Sequence, residues 1–451
     1  MKQTIFLFAF ILPIIQMASA QDVKTIGLSL QQCVHQAVEN NINVKSARLD
    51  KEKSGYKSEE SRAALLPKVN LSGSFQDNLA LMTTVIPGDF IGQPGKDVAL
   101  QMGSKFISSA SININQIIYN RTASLALEIS KKSEILSELG LEKASEEIAA
   151  EVARLYFLTL TTTEQQKLIE GNIVREEKLK NIAQVMLDNG FGKQVDLDRV
   201  AVNLENYYTQ LSNTQATEEQ QLNMMKYLLD LPLGQSIVLT DKADTLLLPS
   251  APTAVTDFSE HVDIRLLESQ KELNLLSQKT IKSGYLPVVS VAGLFAYQGL
   301  KKDFKDYYSG PGRYYPYSYF NVSLSIPLFD GFEKRSKSRQ ARMDYQKTVE
   351  KLHSTKESFS MNYTNAMNNY LNNKNNVIRQ QKNLKLAEKV SGETSLKYRE
   401  GLATVTNILQ DEISLSNAQA GYLTALYNFK DAEVKIMSLN GDIKNLIIKQ
   451  P

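Results

Sequence analysis

The chain of 451 residues has a single cysteine, Cys33, and three histidines, His35, His261 and His353. A lone cysteine excludes an internal disulfide, and no histidine stands at metal-ligand spacing from another or from Cys33, so no metal site is expected. Charge of one sign is also missing: 51 basic and 49 acidic side chains are interspersed, leaving +2 and no long-range field to attract nucleic acid. The charges read as solvated helix faces. No cofactor and no catalysis are expected, because no His, Cys or paired-carboxylate constellation converges. The stretch from Gly88 to Lys96 lacks the Walker pattern, with Phe90 where a glycine and Asp97 where a Ser or Thr would be needed, and reads as a flexible surface loop. Long apolar runs are absent beyond Ile5 to Ile15, and nothing else approaches the roughly 18 residues of a spanning helix. A membrane could be crossed only by strands. That one run follows Lys2 and ends at Ala18-Ser19-Ala20, the pattern of a signal peptide over 1–20 with Gln21 as the mature start. No cysteine follows that site, so a lipid anchor is not indicated.

What the chain does contain is a repeat. A cassette Leu-Pro-x-Val-x-x-x-Gly-x-Phe occurs at Leu66 to Phe75 and again at Leu286 to Phe295. Extended without gaps, it pairs Asn43-Val44-Lys45 with Asp263-Ile264-Arg265 and Lys51-Glu52 with Lys271-Glu272. Two fused copies of one unit fill this length as well as two or three domains would. The expected division is a first repeat over 21–230, a connector over 231–260, a second repeat over 261–441 and a tail over 442–451. Within each cassette Pro67 or Pro287 marks a switch from helix to strand, since proline lacks a donor and pushes its predecessor toward extended geometry.

Ser29 and Gln32 form a capping box for a helix from about Leu30 to Leu65, with a break expected near Asn40-Asn41. Period-two alternation then predicts strands over about 67–78, 106–118, 287–298 and 317–328, the first with Val69, Leu71, Gly73 and Phe75 on one face and Lys68, Asn70, Ser72 and Ser74 on the other. Asn120 to Leu187 contains no proline, and apolar residues at three- and four-residue steps predict a helix of roughly 100 Å there and another over Gly331 to Arg399. Breaks at Asn189 to Gly192 and at Gly401 lead into returning helices. On the second long helix, Asn362, Asn365, Asn369, Asn372 and Asn376 form a stripe opposite Tyr363, Met367 and Tyr370. The stripe reads either as an ordinary outer solvated face, slightly favoured, or as an uncharged lumen wall.

The strands could belong to a small soluble sheet or meet lipid. Four strands are few for a soluble sandwich of this length but suit one protomer's share of an outer-membrane barrel, with Tyr314, Tyr315, Tyr317, Tyr319 and Phe320 at the outer interface. An open sheet has edges that lipid cannot satisfy, so several chains must close it.

The chain resembles the TolC family of bacterial outer-membrane efflux proteins over essentially its whole mature length. The resemblance rests on Leu28-Ser29-Leu30-Gln31-Gln32, the two cassettes, Ile326-Pro327-Leu328-Phe329-Asp330-Gly331 with its switch proline Pro327, and Tyr398-Arg399-Glu400-Gly401. Gln116 to Asn120 lacks the proline that Pro327 supplies in the second copy. The family resemblance implies an α+β membrane protein: an internally duplicated protomer giving four strands to a trimeric twelve-stranded barrel and long antiparallel helices to a periplasmic tube. It implies a passive exit duct serving an inner-membrane pump and a periplasmic adaptor, with drugs, metals or type I secreted proteins as cargo. The rival reading is a secreted helical scaffold or adhesin.

The resemblance further implies that Gly190-Phe191-Gly192 and Gly401-Leu402-Ala403 form the tips where adaptors dock. It aligns Asp196 with an aspartate that holds the closed state and Tyr398 with one of its partners, while Ala403 occupies the usual basic position. Asn407 and Gln410 fall where the best-known members place two aspartate rings at the constriction, which would give a neutral ring here.

Overall fold

The computed structural model describes residues 25–92, 94–242, 257–308 and 314–448. The expected signal peptide with the four residues after it, Gln93, residues 243–256 of the connector, residues 309–313 and the last three residues lie outside them. In chain order the elements are β1 (Ile26–Leu28), α1 (Leu30–Asn40), α2 (Ile42–Ala63), β2 (Lys68–Asp77), β3 (Met82–Pro87), β4 (Asp97–Met102), β5 (Phe106–Tyr119), α3 (Arg121–Asp188), α4 (Gln194–Leu228), β6 (Ile237–Leu239), α5 (Val262–Ser283), β7 (Val288–Lys301), β8 (Tyr314–Ser325), α6 (Glu333–Arg399), α7 (Val405–Asn440) and α8 (Lys444–Ile447).

Local chemistry sets the boundaries. Both bonds of the Ser29–Gln32 capping box are present. The helix then breaks at buried Asn41, whose Oδ1 accepts from Asn43 N at 2.9 Å and whose Nδ2 donates to the Leu228 carbonyl at 3.1 Å. The two cassettes close their helices alike: Leu66 N donates to Ala63 O at 3.1 Å and Leu286 N to Ser283 O at 2.9 Å, each just before the proline. The long helices α3 and α6 have 68 and 67 residues, which at about 1.5 Å per residue makes each roughly 100 Å long.

The strands form an antiparallel sheet in the order β2-β5-β7-β8, with β2 and β8 at its edges. β8 starts at Tyr314 and ends at Ser325, displaced from the expected 317–328, because Pro327 has no donor for a ladder and the tyrosine-rich run before it suits extended backbone. Between β2 and β5, β3 and β4 form a hairpin that the sequence did not predict; Gly88 to Lys96, read as a surface loop, joins its strands, starting with a short 3-10 turn and tied by Gly88 N to Lys96 O at 2.8 Å.

The largest core lies partway along the helices and not at the sheet. Val152, Tyr156 and Phe157 of α3 pack there with Cys33, Val34 and Ala37 of α1 and Val434 and Met437 of α7. A two-stranded parallel sheet of β1 and β6, absent from the sequence reading, caps it. The Tyr156 hydroxyl lies 2.8 Å from Asp241 Oδ2 and 3.1 Å from Leu28 O, its one proton shared between these acceptors, which ties the end of β1 to the segment after β6. Burial pushes the Cys33 thiol up to about 12, so it stays protonated as a small apolar filler.

Candidate functional site

Register sorts the sheet into two chemically distinct faces. Across the strands Val69 meets Ile114, Ile114 meets Gly293 and Gly293 meets Phe320; one step along, Leu71 meets Ile112 and Ile112 meets Phe295. The opposite face carries Asn70 against Asn113, Ser72 against Ser111 and Ala292 against Asn321. Its hydroxyls pair across strands, Ser74 with Ser109 at 2.8 Å and Ser290 with Ser323 at 2.6 Å. The apolar face remains exposed in the protomer, Leu71 by 79% and Phe320 by 74%. Away from the helices it ends in an aromatic cluster in which Phe106 lies 6.0 Å from Phe75 and 5.7 Å from Phe304, centroid to centroid.

The aromatic end of β8 is divided between the two faces. Side chains alternate along β8, so Tyr315, Tyr317 and Tyr319 share the face of Asn321 and Ser323, while Tyr314 and Phe320 lie on the apolar face.

At the other end of the long helices stand two turns of nearly the same build. Gly190, at φ +78°, donates to Leu187 O at 2.9 Å, and Phe191 N donates to Met186 O at 2.8 Å. Gly401, at φ +75°, donates to Tyr398 O at 2.9 Å, and Leu402 N donates to Lys397 O at 2.8 Å. Each is a Schellman ending that needs a left-handed residue, hence glycine. The residue after it is apolar and exposed, Phe191 by 88% and Leu402 by 74%. The turns differ one position on: a Cβ on Gly192 would lie 2.8 Å from Leu187 N, whereas Ala403 packs against the apolar cluster of Leu179, Val200, Tyr398, Val405 and Ile408.

Around this cluster lie the gate candidates. Tyr398 is buried within it, and burial first and the Asp196 charge second raise its pKa. Among the described residues Asp196 makes its close contact with Arg199, at 3.6 Å, and Arg199 Nη1 donates to Thr406 Oγ1 of α7 at 3.1 Å. Arg199 thus supplies a cation that position 403 lacks. Its bond to Thr406 is not legible in the sequence, because the two residues stand 207 positions apart. Asn407 and Gln410 are both exposed, but Asn407 also serves the helix: its Oδ1 accepts from Thr404 N at 3.1 Å, and its N donates to Thr404 Oγ1 at 3.3 Å. Its side chain therefore completes the α7 capping box.

Deeper between the long helices is a polar layer that had been read as solvated faces. Glu412 of α7, 5% exposed, accepts from Arg175 Nε at 3.3 Å and from Ser391 Oγ at 2.6 Å. Asn172 donates to Gln419 Oε1 at 3.0 Å and accepts from Arg175. Next to Arg175, Glu176 is fully buried with neither carboxylate oxygen hydrogen-bonded. Burial, with the Glu412 charge behind it, pushes its pKa up to about 7; Asn203 and Arg175 oppose the shift. Both glutamates line a cavity of about 330 Å³ that also reaches Tyr398 and Ile408. The asparagine stripe of α6 is exposed from Asn362 through Asn372, opposite buried Tyr363 and Tyr370. Among the described residues no helix is long and apolar enough to cross a membrane, and no group of His, Cys, Asp or Glu could hold a metal.

A long helical hairpin body ending in a two-faced, open-edged antiparallel sheet defines an outer-membrane channel protomer. The chain belongs to the outer membrane efflux protein family, whose pattern matches residues 33–229 and 282–442. It is 20% identical over 430 residues to the outer membrane protein TolC of Escherichia coli (strain K12), an alignment covering 92% of this chain and 82% of that protein. Its fold is similar to that of VceC from Vibrio cholerae, with a TM-score of 0.70, 14% identity and coverage of 91% of this chain and 96% of that one. It is equally similar to the open-state MtrE outer membrane channel of Neisseria gonorrhoeae, with a TM-score of 0.73, 17% identity and coverage of 91% and 88%. The protein is thus an outer-membrane efflux protein, and its tip and sheet are the regions where function is to be sought.

Proposed function

We propose that three copies form a passive exit duct of a tripartite efflux or type I secretion system, opened at the helical tip when an adaptor and pump engage. The observation that carries this reading is the sheet itself. β2 and β8 are edges running in opposite directions, so β8 of one copy can pair antiparallel with β2 of the next, and three sheets of four strands close into twelve. Closure removes every unpaired backbone group from lipid, puts the Leu71 face outward and leaves the serine and asparagine face around a wet lumen. β7 and β8, 14 and 12 residues long, rise roughly 25–35 Å when tilted, enough for the hydrocarbon layer.

In this arrangement the chain is an internal duplication, with repeats over 21–230 and 261–441 joined by the 231–260 connector. Phe191 and Leu402 present apolar knobs to the adaptor, and Asp196, Arg199, Tyr398 and Thr406 hold the tip at rest. Neutral Asn407 and Gln410 make the constriction polar without a strong cation preference. The duct needs no catalytic group or cofactor, and its energy comes from the pump.

The test is reconstitution. Purified protein should extract only with detergent, sediment as a trimer and conduct ions in planar bilayers. Recovery in the soluble periplasmic fraction, without conductance, would establish the scaffold reading instead.

A further inference from the structure

The junction between β8 and α6 carries an exposed aromatic knuckle that neither the duct nor the gate uses. The apolar series Phe320, Val322 and Leu324 continues past the strand end into Ile326 and Leu328, the latter 93% exposed. Phe329 and Phe332 follow, also exposed, with ring centroids 5.5 Å apart in an edge-on pair. Phe332 sits at φ +66°, a left-handed conformation that is strained for a residue with a side chain. Strain that presents a phenyl ring outward implies a partner for the ring.

The helix below it supplies the second observation. Arg335, Arg339 and Arg342 are exposed and, at steps of four and three, share one stripe of α6 directly beneath Phe332. Their neighbours are committed elsewhere: Asp330 binds Lys334 at 3.1 Å, Glu333 binds Lys337, and Lys334 turns inward over the Tyr285 ring at 5.3 Å. Among the described residues the three guanidinium groups have no ion-pair partner. Arg335, in the first turn of α6, opposes the helix dipole, so it does not serve α6 itself. The stripe spans roughly 10 Å, comparable to a headgroup layer.

We propose that Leu328, Phe329 and Phe332 insert at the inner boundary of the hydrocarbon layer, and that Arg335, Arg339 and Arg342 bind the phosphates of anionic phospholipids in the leaflet facing the periplasm. Continuity with the apolar face of β8 and charge complementarity favour lipid over a second copy of the chain as the occupant. The proposal rests on the membrane-inserted reading of the sheet.

The chain has no tryptophan, so single reporters are clean. Trimers carrying Phe329→Trp, and separately Leu71→Trp, are placed in phosphatidylcholine vesicles with or without phosphatidylglycerol and with quenchers at the headgroup or at mid-bilayer. Trp at 329 should be blue-shifted and quenched mainly by the shallow probe, and Trp at 71 by the deep one. Retention of phosphatidylglycerol over phosphatidylcholine on extracted trimers, read by native mass spectrometry, should drop roughly fivefold for each arginine replaced in Arg335→Gln, Arg339→Gln and Arg342→Gln, and return in the three lysine variants. An unquenched reporter at 329 beside a quenched one at 71 would overturn the proposal and assign the knuckle to a neighbouring copy. Unchanged lipid preference in the triple glutamine variant would overturn the arginine site. Loss of quenching at both positions would remove the membrane reading and the proposal with it.

Discussion

Arg199 of α4 donates a 3.1 Å hydrogen bond to Thr406 of α7, and the same guanidinium lies 3.6 Å from Asp196. One exposed cation thereby fastens the two returning helices beside the tip. Contacts of this kind are worth about 0.2–1 kcal/mol each. Arg199→Ala should therefore raise single-channel conductance or open probability in planar bilayers a few-fold. Asp196→Ala should act in the same direction, and Thr406→Val more weakly. If all three behave like the parent channel, this clasp does not hold the tip.

Glu176 makes stability depend on pH. Its folded pKa of about 7 lies above the ordinary 4.5, so between these values the folded chain holds a proton that the unfolded chain has released. The stabilisation is fully present below about 4.5 and is lost as pH rises through about 7. Glu146, also pushed up to about 7 by burial, adds to the same window. The thermal midpoint should fall from about pH 5 to about pH 8, and Glu176→Gln should raise it at the alkaline end while leaving the acid end nearly unchanged. The full penalty is on the order of 3 kcal/mol per chain. Parallel pH profiles for the two proteins would contradict this account.

The two faces of the sheet should tolerate charge differently. Leu71→Arg sets a cation on the apolar face opposite Ile112, where the cost near mid-membrane is about 2–4 kcal/mol. Ser72→Arg sets it opposite Ser111, facing the proposed lumen. The first variant should lose yield in the membrane fraction and thermal stability, and the second should keep both. Equal losses would show that the assignment of faces is wrong.

At the tips, Phe191 and Leu402 project from two turns of matching hydrogen-bond pattern. Replacing both with glutamate should leave the helix ends intact, since neither ring nor branch is buried, yet weaken cross-linking to the proposed periplasmic adaptor by at least about tenfold. Circular dichroism unchanged with cross-linking unchanged would move docking elsewhere.

Much of this architecture was legible in the sequence because its signals are local. Pro67 and Pro287 end helices wherever they occur, Ser29 and Gln32 cap each other three residues apart, and Gly190 and Gly401 announce left-handed turns. The β3–β4 hairpin was not legible, since Met82–Pro87 and Asp97–Met102 are short and Gly-Pro punctuation between them resembles any loop. The buried polar layer was hidden for a different reason. Glu176 and Glu412 sit on helices that also carry many solvated polar residues, and only the packing of α3 against α7, far apart in sequence, shows which stripe is covered. The division of the β8 tyrosines between the two faces was available from period two alone.

The opposed free edges of β2 and β8 carry a genetic consequence. In the proposed ring each chain completes its pairing on two neighbours, so a proline placed within either edge would spoil sound subunits along with its own. Such alleles should be dominant when expressed beside the normal gene. Lesions in the Tyr156 core, by contrast, remove a chain before it assembles, and should be recessive.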